Sequence, residues 1–227
     1  MIKSLMKCIF CSHDKLYKLK TAQLKCAKCG KKFSPKKLEL NYSIIESFCD
    51  EISAHKTSIA LGVNYMTVKS RYDDFRKLVA KFAEDAYLNK EVVEYDEYLY
   101  LEQSKKKVEK NIFDAQNFLT FHYEDKVFNL PMPNLNKYKD DFLEDGADKS
   151  YFKELSKFMM FNKIAKIQNI DNLITRFWIF FEDSITKYKG IRPENFFYYL
   201  KEIEFKFNYT KEEQKEILAR LYIAIHV

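Results

Sequence analysis

Glycine and proline are scarce in this chain, four of each in 227 residues, so each one marks a place where an element stops or turns. Long apolar runs are missing too. The longest, such as Phe177-Trp178-Ile179-Phe180-Phe181, fall far short of the roughly 20 residues that cross a bilayer, which excludes a transmembrane helix and a membrane partner. Residues 1–10 interrupt their apolar side chains with Lys3, Ser4 and Lys7. They lack the hydrophobic stretch of a secretory signal, so a cytoplasmic protein is expected. Of the five cysteines, four stand in two CxxC pairs and Cys49 stands alone. That pattern fits metal binding in a reducing compartment better than a disulfide framework. Hydrophobic residues at 47% and aromatics at 16% supply enough apolar surface for a real core and argue against wholesale disorder.

Acidic residues are nearly absent from the first forty positions. Eleven lysines there face only Asp14 and Glu39, a local charge of +9, so the other 187 residues carry −3 of the total +6. Four metal-bound thiolates would lower the local figure and leave it positive. A compact basic head points to a polyanion partner.

Within that head, Cys8-Ile-Phe-Cys11 and Cys26-Ala-Lys-Cys29 are separated by fourteen residues, the spacing of a four-thiolate zinc site. A CxxC turn brings two sulfurs to one ion, and the intervening residues form the hairpin that returns the second pair. Four sulfur ligands leave no open position, so the expected zinc is structural. A redox dithiol is the competing reading.

Punctuation by Gly30, Pro35, Gly62, Pro131, Pro133, Gly146, Gly190 and Pro193 divides the chain into 1–36, 37–88 and 89–227. The middle part has helical periodicity near 41–51, 53–61 and 64–84, the third with Val68, Tyr72, Phe75, Val79 and Phe82 on one stripe. A short helix, the Gly62-Val63 turn and a longer helix capped by Asn64 make a helix-turn-helix, whose second helix enters a major groove. An ordinary helical hairpin is the alternative. With Val68 and Tyr72 inward, Met66, Thr67, Lys69 and Ser70 point outward and Arg71 lies at the flank. Lys31, Lys32, Thr67, Lys69, Ser70 and Arg71 are therefore the expected DNA-binding residues. The last part has β-rich segments at 92–101, 112–123 and 127–130. Helical segments follow near 134–143, 148–157, 169–188, 193–207 and 210–224, with a short strand around 158–167. The expected fold class is α+β and multidomain.

The order of these parts, followed by Val93-Glu94-Tyr95-Asp96-Glu97-Tyr98, resembles the ISXO-like insertion-sequence transposases. So do Asn172-Leu-Ile-Thr-Arg-Phe-Trp178, Lys187-Tyr-Lys-Gly-Ile191 and Tyr199-Leu-Lys-Glu-Ile-Glu-Phe-Lys-Phe-Asn208. The resemblance implies a zinc ribbon over 1–36, a helix-turn-helix over 37–88 and a ribonuclease H-like domain with a reduced sheet over 89–227. It makes Asp96 the first catalytic carboxylate and offers Asp145 and Asp148 for the second, with Asp145, followed by Gly146, the closer match. Three such carboxylates hold two Mg²⁺ or Mn²⁺ ions for phosphodiester transfer.

The family's third carboxylate is a glutamate three residues before the tryptophan, and this chain has Thr175 there. Glu182 and Asp171 lie about 10 Å and about 6 Å away along a helix axis. The implied function is a DNA-binding transposase, or a transposase-derived protein, with impaired chemistry. A competent transposase with rearranged carboxylates and a zinc-ribbon regulator without chemistry are the alternatives. The implied partner is double-stranded DNA, bound by a monomer or a homodimer.

Overall fold

The computed structural model describes residues 7–102, 104–106, 109–133 and 172–226. Its elements are β1 (Leu16–Lys18), β2 (Leu24–Cys26), β3 (Lys32–Phe33), α1 (Pro35–Cys49), α2 (Ala54–Leu61), α3 (Tyr65–Tyr87), β4 (Glu94–Tyr100), β5 (Gln116–Tyr123), β6 (Lys126–Pro131), α4 (Leu173–Ile185), α5 (Phe196–Asn208) and α6 (Lys211–His226). The fold is α+β: six helices and two antiparallel three-stranded sheets, β1-β2-β3 and β4-β5-β6, among the described residues. The segments expected near 134–143, 148–157 and 158–167 lie outside them.

The chain divides into two compact units, 1–79 with 209–227, and 80–208. The division falls inside α3, not at residue 88, and the C-terminal helix belongs with the first unit. Sequence punctuation misses this because no glycine or proline interrupts α3, and a helix's partner is set by its apolar face and not by its place in the chain.

In the first unit, Ser34 and Pro35 start α1 six residues earlier than periodicity indicates. The Ser34 hydroxyl accepts the Lys37 amide at 3.4 Å, and proline at the first helical position lacks only an N–H that has no intrahelical acceptor. Ser53 caps α2 in the same way, through Lys56 at 3.3 Å. Gly62 then ends α2 at φ 63°, ψ 33°, left-handed geometry that favours glycine. Asn64 starts α3 by accepting the Met66 amide at 2.7 Å.

Val68, Tyr72, Phe75 and Val79 are all buried. The Phe75 ring meets Phe48 of α1 and Tyr222 of α6 edge-on, at 5.4 and 5.0 Å. The Tyr72 hydroxyl bonds Thr57 of α2 at 2.9 Å and donates to the Ile52 carbonyl at 2.8 Å, which fixes the angle of the α2–α3 hairpin. Around β1-β2-β3, Phe33, Leu38 and Ile223 form a small core flanked by Ile9, Phe10, Leu16 and Leu24.

In the second unit, α4 and α5 cover one face of β4-β5-β6. Tyr98, Phe118 and Val127 of the sheet pack with Ile174, Phe177, Trp178, Phe181, Leu200 and Ile203. Residues 80–87 cover the other face, where Tyr87 stacks on Phe128 at 4.1 Å and also meets Phe121 and Tyr123. β5 begins at Gln116 and not at residue 112, because Glu109–Asp114 form 3₁₀ turns. There Asn111 donates to the Lys105 carbonyl at 3.1 Å and Lys105 pairs with Asp114 at 3.0 Å. Side chains that bond the local loop override the β propensity of Ile112 and Phe113.

A chain of buried polar groups crosses this core. Trp178 Nε1 donates to Thr120 Oγ1 at 2.9 Å, and Thr120 donates to Asn129 Oδ1 at 2.7 Å. The Asn129 backbone and side-chain amides both donate to Glu204 Oε2, at 2.8 and 2.9 Å. Lys201 Nζ closes the chain on the two Glu204 oxygens at 3.1 and 2.9 Å, each side chain only 1% exposed, and sits 3.5 Å from the Phe128 ring centroid. Burial pushes the Glu204 carboxyl up and the Lys201 ammonium down, and the opposite charge of each opposes that shift in the other.

Removing one member of a buried pair strands the other without a counter-charge. Glu204→Ala should therefore lower the unfolding free energy by about 3 to 5 kcal/mol. Glu204→Gln, which keeps an acceptor for Asn129, should lose less. Urea unfolding followed through Trp178, the single tryptophan, measures both.

Candidate metal centre and nucleic-acid interface

The two CxxC segments fold into the same turn, eighteen positions apart. The Cys8 amide donates to the His13 carbonyl at 2.8 Å and the Ser12 amide to the Cys8 carbonyl at 2.8 Å. The Cys26 amide donates to Lys31 at 3.0 Å and the Gly30 amide to Cys26 at 3.1 Å. The fourth residue after each leading cysteine is left-handed, Ser12 at φ 56° and Gly30 at φ 71°. Glycine adopts this readily, whereas serine is strained by it.

Each turn aims two sulfurs at one point. Cys8 Sγ lies 3.6 Å from Cys29 Sγ, Cys11 Sγ lies 3.6 Å from Cys26 Sγ, and all four sulfurs fall within 4.8 Å of one another. A tetrahedral ion with bonds of about 2.3 Å separates its sulfurs by about 3.8 Å, so the donor set and its spacing fit a soft divalent cation. Cys8 and Cys26 are buried while Cys29 is exposed.

Backbone donors prepare the thiolates. The Lys28 and Cys29 amides point at Cys26 Sγ from 3.3 and 3.5 Å. Burial opposes ionisation of Cys26, but those amides and the neighbouring sulfurs outweigh it and bring the thiol down to about 6. At Cys11 the His13 amide favours the thiolate, yet burial and the other three sulfurs carry the thiol up to about 12. A bound cation removes that conflict by neutralising all four.

Every one of the ten lysines between residues 7 and 40 is exposed. Lys32 is on β3, and Lys31 lies just before it with its ammonium 4.4 Å from the Phe10 ring centroid. On α3, Thr67, Lys69 and Ser70 are exposed along with Met66. Arg71 is half-buried, its guanidinium 5.3 Å from the Tyr222 ring centroid and 3.9 Å from Asp74. The link from Arg71 to Tyr222 is invisible in sequence, since it depends on α6 belonging to the first unit.

Asp96 is exposed on β4, and its Oδ1 accepts the Glu97 amide at 2.7 Å. It opposes Thr120 across the β4–β5 pair and shares a sheet face with Tyr98 and Glu94, the face covered by α4. On that helix Thr175 is buried, with its amide and hydroxyl both donating to Asn172 Oδ1 at 2.8 Å, so it serves the helix cap. Glu182 accepts the Tyr98 hydroxyl at 2.7 Å. Asp145 and Asp148 lie outside the described residues. Among the described residues, the four cysteines alone form a group of three or more metal-ligating side chains within reach of one ion. Thr120, Asn129, Lys201 and Glu204, which carry the buried polar chain, were missed by sequence reasoning. Their signal was weak: polar residues at inward positions of two strands, and a Lys-x-x-Glu spacing on a helix.

No family model, curated protein or solved structure matches this chain. No helix among the described residues is long and apolar enough to cross a membrane.

Protein purified under reducing conditions should hold one divalent ion per chain, as metal analysis by mass spectrometry will read. Cys26→Ser should abolish stoichiometric binding, because it removes one of the four sulfurs that complete the donor set.

Proposed function

We propose that this chain is a DNA-binding protein of transposase descent in which phosphodiester transfer is impaired. The observation that carries the reading is a four-thiolate centre set in a segment whose ten described lysines are all exposed. A helical hairpin turned by Gly62 follows it. On this reading residues 1–36 are a zinc ribbon, with zinc as a structural ion, and α2 and α3 are a helix-turn-helix. Lys31, Lys32 and Lys69 meet phosphates, and Thr67 and Ser70 meet base edges. Arg71 acts from its place against Tyr222 and Asp74, supporting the hairpin more than it touches DNA.

For the last part, a three-stranded antiparallel meander with α4 and α5 on one face and the end of α3 on the other supports ribonuclease H-like descent. Asp96 stands on the helix-covered face of the first strand, where the resemblance expects a catalytic carboxylate. What argues against surviving chemistry is α4. Thr175 carries no charge and is engaged with Asn172, while Glu182 is engaged with Tyr98. If Mg²⁺ or Mn²⁺ were bound, Asp96 and Asp145 would be its ligands, and the charge it supplies would stabilise the leaving oxygen.

DNA binding should weaken steeply as salt rises, with log K falling linearly in log salt at about −0.9 per phosphate contacted. Lys31→Ala combined with Lys32→Ala should flatten that line by about two units, as fluorescence anisotropy with a labelled duplex will measure. A chain with little affinity and a flat salt response acts through protein contacts instead. In a separate test, titrating Mn²⁺ into the zinc-loaded chain should leave Trp178 fluorescence free of saturable quenching, since thiolates prefer zinc and the described residues hold no group of three carboxylates within reach of one ion. Saturable quenching that is lost in Asp96→Ala would mean the catalytic site survives.

A further inference from the structure

We propose that Met66, with Ser70 beside it, reads the 5-methyl group of thymine in the major groove, so that the chain selects a site with fixed thymines. This deepens the DNA-binding reading and rests on it. Successive residues on α3 turn by about 100°. Met66 and Ser70 therefore lie within about 40° of each other, with Lys69 on one flank and Thr67 on the other. The buried line of Val68, Tyr72, Phe75 and Val79 is on the opposite side. At the centre of the exposed arc stands an unbranched apolar side chain, 62% exposed.

Charge limits what can lie against it. The ten lysines of residues 7–40 belong to the same compact unit and are exposed, which favours a polyanion. One turn further along α3, Asp73 and Asp74 pair with Arg76 and Arg71, and the first two turns hold no acidic side chain.

Within those turns arginine, asparagine and glutamine, which specify guanine or adenine by paired hydrogen bonds, are not free to do so, and lysine, which also pairs with guanine, is present only as Lys69 on the flank of the arc. Asn64 is committed to capping α3 through the Met66 amide at 2.7 Å. The Arg71 guanidinium is committed to Tyr222 and Asp74, and residues 65–70 contain none of the three types. The remaining donors are Lys69, which stands at the edge of the arc, and two hydroxyls that bond either acceptors or donors. At the centre of the arc, where Met66 stands, base discrimination therefore falls to apolar contact, and in the major groove the apolar group that distinguishes one base pair from another is the thymine methyl.

The test selects bound duplexes from a randomised pool with the full chain, then resynthesises the enriched duplex with deoxyuridine in place of thymine, one position at a time. Each exchange removes only a methyl group. At one or two positions affinity should fall about fourfold, the equivalent of one desolvated methyl. Met66→Ala should bind the thymine and uracil duplexes alike, and Met66→Leu should still distinguish them. Both variants change an exposed side chain and leave the buried face of α3 intact. An enriched site without a fixed thymine, or a wild-type chain indifferent to uracil at every position, overturns the methyl contact and leaves DNA binding standing. Failure to retain any duplex overturns the DNA-binding reading, and this inference with it.

Discussion

Convergence of four sulfurs on one point is the constraint on which the N-terminal unit rests. Its strands are three, three and two residues long, shorter than strands that persist on their own. The buried apolar side chains beneath them are Phe33, Leu38 and Ile223. A segment with eleven lysines in forty residues also repels itself on compaction. Two matched knuckles that gather four thiolates within 4.8 Å offset both difficulties once a divalent cation neutralises them, because metal affinity then becomes folding free energy. The same ion allows the lysines to stay outward, where a polyanion can meet them.

The second unit solves a different problem. Its apolar core is well supplied, with Phe118, Phe177, Phe181 and Leu200 all fully enclosed, yet a polar chain runs through it from Trp178 to Lys201. Each member satisfies the next, so the groups are not left unpaired in a low-dielectric interior. Hydrogen bonds are directional where apolar contacts are not. The chain therefore ties α4 to β5, β5 to β6 and β6 to α5 in one register. Tyr98 and Glu182 add a further tie between β4 and α4 at 2.7 Å.

This architecture bears on the proposed loss of chemistry. A catalytic carboxylate must be free to hold a metal, and on α4 two polar side chains are occupied with structure: Thr175 with the helix cap, Glu182 with a buried tyrosine. Asp96 keeps its exposure and its place on the helix-covered sheet face. A two-metal centre stabilises both the attacking and the leaving oxygen only when its carboxylates act together. On the proposed reading, DNA recognition outlives transfer because phosphate contacts are distributed over many lysines, whereas catalysis depends on three specific positions.

Local features were determined by sequence alone. The cysteine spacing announced the four-sulfur group, because a CxxC turn is set by a few backbone bonds. Period 3.6 in α3 announced which of its residues are buried, because one helix face must leave water. The glycine at 62 announced the turn, because left-handed backbone favours it. Tertiary structure decided whatever depends on residues distant in sequence. The grouping of α6 with the first unit put Tyr222 against Phe75 and engaged Arg71, which sequence had offered to DNA. Glu204, an ordinary charged residue on a helix by pattern, became the terminus of a buried network only when Asn129 and Lys201 were brought to it from β6 and from its own helix. Periodicity records which face of an element avoids water. It carries no information about which partner covers that face, and the roles of Arg71 and Glu204 follow from the partner.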